Sequence, residues 1–185
     1  MKFIISILVA AAAMIAAPLA AEQPPLRPSF HSGSVITDFG PIANIEGAEA
    51  LSKDAQFSVA FDVAAAANPG EFNRTFESAA RFINMHVEAG VPAKNIKLAI
   101  VVHGGAAFDV TNAALYAAKN PDEINANAPL IAELQKHGVE FYLCGQSAAA
   151  QNVSKSDLLP GVKLPLSAMT AHALLQQKGY TLNPF

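Results

Sequence analysis

Hydrophobic and polar positions change their period several times along this chain, and each change marks an element. Gln56-Phe57-Ser58-Val59-Ala60-Phe61-Asp62-Val63 alternates and is rich in β-formers, which predicts the first core strand, ended by Asn68-Pro69-Gly70. From Glu71 to Ala89, Phe72, Phe76, Ala79, Ala80, Ile83 and Val87 recur at helical steps, while Arg74, Glu77, Arg81 and Glu88 occupy other faces. This is an amphipathic helix, stopped by Gly90 and Pro92. Ile96-Lys97-Leu98-Ala99-Ile100-Val101-Val102-His103 is apolar on both faces, as a strand in the middle of a covered sheet must be.

The later pattern continues the alternation of strand and helix. Gly104-Gly105 breaks the strand, Asp109 or Thr111 is placed to cap a helix running to about Lys119, and another helix follows from about Ile124 to Lys136, ended by Gly138. Val139 to Leu143 reads as a strand, with a short helix starting near Gln146, a turn at Leu159-Pro160-Gly161, a strand at Val162-Lys163-Leu164-Pro165-Leu166 and a last helix from Ala168 to Lys178. Alternation of this kind implies right-handed crossovers. The expected fold is therefore three-layer α/β/α, with a mainly parallel sheet of about five strands over residues 55–185.

The N-terminal third behaves differently. Lys2 precedes an apolar run from Phe3 to Ala17 and then Pro18-Leu19-Ala20-Ala21, the layout of a secretory signal peptide over residues 1–21. That run is shorter than the roughly 20 residues that span a bilayer, so the expectation is a periplasmic or secreted protein with no stable membrane anchor. Residues 22–54 read as an extended arm kept open by Pro24, Pro25 and Pro28, followed by an irregular segment with one short strand. With 12 basic against 15 acidic residues and no basic block, nucleic acid is not an expected partner.

Composition sharpens one residue. Cys144 is the only cysteine, so no internal disulfide can form, and the thiol is free, paired between chains, or used chemically. It lies where the strand Val139–Leu143 meets a glycine turn, and ligands in parallel α/β sheets bind outside the carboxyl ends of strands. His103-Gly104-Gly105 ends another strand in the same way. If the two strands are neighbours, imidazole and thiol share a pocket.

An ordinary cysteine is only about 3% thiolate at neutral pH, and one helix N-terminus supplies about 0.3 to 1 kcal/mol, so reactivity needs further help. His103 is the natural candidate, with the turn amides as the other source. The plain alternative for Cys144 is a small buried hydrophobe, and for His103 a loop hydrogen bond. Asp62 stands at a strand end and could complete a Cys-His pair, but no spacing rule selects it over Asp109. His86, His137 and His172 read as structural or solvent-facing, and His31 lies in the arm. No paired-cysteine motif, zinc-ligand spacing or cofactor fingerprint is present, so neither metal nor cofactor is implied.

Val101-Val102-His103-Gly104-Gly105-Ala106-Ala107-Phe108, together with Leu143-Cys144-Gly145-Gln146-Ser147 and the ending Leu174-Leu175-Gln176-Gln177-Lys178-Gly179-Tyr180, resembles the periplasmic branch of the DsrE/DsrF-like family. The resemblance implies a homotrimer or homohexamer and a sulfur-relay role in which Cys144 carries sulfane sulfur as a persulfide, passed to or from a donor or acceptor protein. Cys144 and His103 would then be the chemical pair, with Gly104, Gly105, Gly145, Gln146 and Ser147 shaping the ligand pocket. A non-enzymatic oligomeric module that binds a small ligand or metal, with Cys144 structural, is the other reading.

Overall fold

The computed structural model describes residues 29–184. The segment 1–21, expected to be a signal peptide, and the first part of the expected arm lie outside the described residues. Short strands β1 (Phe30–His31) and β2 (Ile42–Ala43) pair antiparallel, the latter being the one short strand expected in the irregular segment. They are followed by β3 (Phe57–Val63), α1 (Arg74–Glu88), β4 (Ile96–Val102), α2 (Ala113–Lys119), α3 (Asn127–Lys136), β5 (Glu140–Leu143), α4 (Gly145–Ala150), α5 (Ala168–Gln177) and β6 (Thr181–Asn183).

The main sheet has the order β5-β4-β3-β6, and each of its pairings is parallel. β4 lies inside, and from Leu98 to Val102 it is fully buried. Strand alternation sends Val59, Phe61, Val63, Leu98, Ile100, Val102, Phe141 and Leu143 to one face, where they pack with Phe76, Ala79, Ala80 and Ile83 of α1 and with Leu130, Ile131 and Leu134 of α3. Phe76 meets Phe141 edge to face at 5.4 Å. The opposite face carries the smaller residues Ala60, Ala99 and Val101 and is covered by Ala171 and Leu175 of α5. Together these make the expected three layers.

α1 starts where Asn73 caps it by accepting from the Thr75 amide, and it is tied to the N-terminal segment by Asn84. The Asn84 amide bonds the backbone of Ile36 in both directions and also the carbonyls of Phe39 and Gly40, so residues of the irregular segment dock on α1 through a fully buried polar side chain.

Two local expectations are corrected, and one strand is added. Asn112, not Asp109 or Thr111, caps α2, because Gly104–Val110 winds into a 3₁₀ segment that delays the helix and leaves Asp109 buried, bonding the Ala67 amide and Asn73. The strand expected at Val162–Leu166 reduces to one parallel bridge between Tyr142 and Lys163. Pro165 has no amide to continue the ladder, and its carbonyl instead accepts from Gly145 at 3.0 Å. β6, which no alternation announced, fills the other edge beside β3.

Candidate functional site

The register brings the two motif-bearing strand ends side by side. Val102 pairs with Leu143, so His103 and Cys144 occupy the next step on neighbouring strands, and the Cys144 amide donates to the Val102 carbonyl at 2.8 Å. Asp62 pairs in register with Val101, and Val101 with Tyr142. By alternation Asp62, His103 and Cys144 all belong to the face covered by α5. The adjacency that the sequence required of the two strands is present.

The chemistry within that row differs from the expected Cys-His pair. His103 Nε2 lies 3.1 Å from Asp62 Oδ2, and His172 Nε2, from α5, lies 2.7 Å from Asp62 Oδ1. A carboxylate only accepts, so both imidazoles donate through Nε2. Burial pushes the Asp62 carboxyl up, but the two imidazole hydrogen bonds outweigh it and hold the group below its usual range. His172 is thereby moved from the structural or solvent-facing class into the site, and Asp62 is selected over Asp109.

The thiol is held by other groups. Burial pushes the Cys144 thiol up, and the Ser147 hydroxyl with the amides of Ser147, Ala168 and Gln146 outweighs that penalty, leaving it more acidic than an ordinary cysteine. His103, spent on Asp62, is corrected from the thiol's ion-pair partner to a neighbour in the same row. The turn amides and a hydroxyl do the work that the sequence divided between imidazole and turn.

The two glycine motifs are bonded to each other. The Gly104 amide donates to Ser147 Oγ at 3.0 Å, which leaves the hydroxyl proton free to point at the Cys144 sulfur. Gln151, which the sequence did not single out, donates from its side chain to the Gly104 carbonyl at 2.6 Å. Gly104 has φ of +54°, a left-handed conformation that a side chain resists. Gly105 faces no such demand, since a Cβ there would meet the Ala64 carbonyl at an ordinary 3.5 Å.

Gly145 is required by space rather than by dihedral angle. A Cβ at Gly145 would stand 2.6 Å from the Pro165 carbonyl oxygen and 2.9 Å from that of Leu166. The Gln146 side chain donates to the same Leu166 carbonyl at 3.2 Å, so residues 165–166 lie pressed against the cysteine turn. Just before the turn, Tyr142 donates to the Glu140 carboxylate, and Lys163 reaches the same carboxylate at 3.1 Å. Among the described residues no group of His, Cys, Asp and Glu is placed to hold a metal ion. None of the described helices is long and apolar enough to cross a membrane.

A parallel α/β/α domain with an acidified thiol at the carboxyl end of the edge strand β5, beside the inner strand β4, is the class that fold and site define. The chain belongs to the DsrE/DsrF-like family, whose model matches residues 57–184. Among solved structures it is similar to a protein of unknown function from Methanobacterium thermoautotrophicum and to the ychN protein from E. coli. Each shares 15% identity, covers 70% of this chain and 100% of its own, and superposes with a TM-score of 0.51. At that identity the likeness speaks to fold alone. No match is found among functionally curated proteins.

Proposed function

We propose that this is an exported sulfur-handling protein in which Cys144 accepts and carries sulfane sulfur as a persulfide. The observation that carries the reading is the thiol itself, buried at the strand end yet acidified by the Ser147 hydroxyl and the amides of Gln146, Ser147 and Ala168. Groups that stabilise a thiolate also stabilise a persulfide anion or the developing charge of a transfer. The Cys144 thiolate attacks the terminal sulfur of a donor persulfide, R–S–SH. A sulfur–sulfur bond forms to Cys144 as the donor's breaks, its electron pair leaves on RS⁻, and water protonates that leaving group. The donor is reduced to a thiol as Cys144 becomes the persulfide, so no further oxidant is needed.

Export rests on the leader-like segment 1–21, and a homo-oligomer is supported by the exposed apolar residues Leu166, Met169 and Leu174 beside the sheet face that α5 covers. Intact-mass analysis after incubation with a low-molecular-weight persulfide tests the chemistry. The native protein should gain one sulfur atom and Cys144→Ser none. Uptake of no sulfur by the native protein, reduced beforehand, refutes the reading.

One observation favours a second reading. Cys144 is only 6% exposed, as a packed structural cysteine would be, which suits a non-enzymatic binding or assembly module. A thiol that resists small alkylating agents in the folded protein at all pH values supports that module over the carrier.

A further inference from the structure

We propose that Asp62 and His172 form a latch that seats the first turn of α5 against the Cys144 thiol, making these two residues, rather than His103, the positioning residues of the site. The inference deepens the carrier reading and rests on it for its purpose, though not for its geometry. α5 begins at Ala168, capped by Ser167, whose Oγ accepts from the Thr170 amide. The Ala168 amide faces the thiol, and His172 stands one turn later on the same helix. Its Nε2 donates to Asp62 Oδ1 at 2.7 Å, so the end of β3 holds the helix at the point where the helix serves the cysteine.

The contacts of α5 with the sheet are otherwise apolar and non-directional. Ala171 and Leu175 pack with Ala60, Ala99 and Val101 of the sheet, while Met169 and Leu174 project outward at 79% and 51% exposure. The segment leading into it is pressed on the cysteine turn through Gly145 and Gln146, so a shift of α5 is felt directly at the thiol. The His172 ring is itself locked. Nε2 must carry the proton given to Asp62, and Nδ1 is buried without a partner, so the ring has no alternative bond to take up if Asp62 is removed.

The titratable groups on the elements packed about the cysteine turn are Asp62 from β3, His103 after β4, Tyr142 with Glu140 and Lys163 beside β5, and His172 from α5, while the thiol's own hydrogen-bond partners are Ser147, Gln146 and Ala168. Charge and seating predict opposite signs for Asp62. Deleting a neighbouring anion would, by charge alone, make the thiol more acidic, whereas loss of the latch withdraws an amide from it and makes the thiol less acidic.

The test is the rate of Cys144 alkylation by iodoacetamide against pH, with circular dichroism confirming the fold of each variant. In Asp62→Ala and His172→Ala the midpoint should move up by about one pH unit, lowering the rate at neutral pH about tenfold. His172→Gln, which can still donate to Asp62, should restore the midpoint, and His103→Ala should leave it in place. The proposal is overturned if folded Asp62→Ala keeps or lowers the midpoint, or if His103→Ala raises it as far. Should His172→Ala fail to fold, Asp62→Ala and His172→Gln decide. Alkylation uses no sulfur donor, so failure of sulfur uptake and failure of the latch are read separately.

Discussion

Gly145→Ala puts the closest contact of the site to the test. The added methyl would sit 2.6 Å and 2.9 Å from two backbone carbonyl oxygens, and neither is the end of a flexible side chain that can swing away. To reach an ordinary contact of 3.4 Å the Pro165 carbonyl must retreat by about 0.8 Å, and that same oxygen accepts the amide of residue 145. Overpacking of this kind costs about 1–3 kcal/mol, offset in part by the preference of a helix for alanine over glycine, up to about 1 kcal/mol. With two backbone carbonyls to displace, the overpacking cost lies in the upper part of its range, and a net loss of about 1–2 kcal/mol should lower Tm by about 2–8 °C for a chain of this size. Calorimetry or thermal circular dichroism measures it. Because residues 165–166 lead directly into α5, the displacement should also draw the Ala168 amide from the sulfur and raise the alkylation midpoint of Cys144. A variant with native Tm and a native midpoint would show that residues 165–166 yield freely, and the reasoning from close contact would fail.

Two further outcomes follow from the same region. Ser147→Ala removes the hydroxyl that accepts from the Gly104 amide and faces the thiol, so the alkylation midpoint should rise and stability fall by about 1 kcal/mol; an unmoved midpoint contradicts the role given to Ser147. Asp62 has a folded-state pKa held below its ordinary 3.8, so the unfolded chain binds the proton more readily and the stabilisation is present above pH 3.8 and lost as pH falls through the folded value. The excess in Tm of the native protein over Asp62→Ala should therefore shrink below that pH in a series of melts, and a constant excess across the window counts against the carboxylate's hydrogen bonds as its source.

Legibility in the sequence followed the range of the interaction. β4 was plain because burial on both faces leaves a continuous apolar run, and α1 because its buried residues repeat with the helix. The placement of Cys144 and His103 at neighbouring strand ends came from topology, which alternating elements constrain strongly. His172 was not legible, since its partner is 110 residues away and nothing in the α5 pattern marks one polar position above another. A signal did exist at the other end. Asp62 stands between the buried Phe61 and Val63 at the end of a strand on the face that α5 covers, and a half-buried carboxylate at such a position needs donors. The strand lost at Val162–Leu166 carried its own warning in Pro165, while β6 is three residues that become a strand only by lying along β3.

The bond from the Gly104 amide to Ser147 Oγ, closed by Gln151 on the Gly104 carbonyl, has a consequence for how such a chain can vary. The His-Gly-Gly and Cys-Gly-Gln-Ser turns are read along the sequence as separate words, but physically they are a single knot with one strand passing through each side. A side chain forced onto the left-handed backbone at position 104 would move the amide that orients the hydroxyl on the sulfur, and loss of that hydroxyl would leave the amide without its acceptor. Neither turn can drift alone.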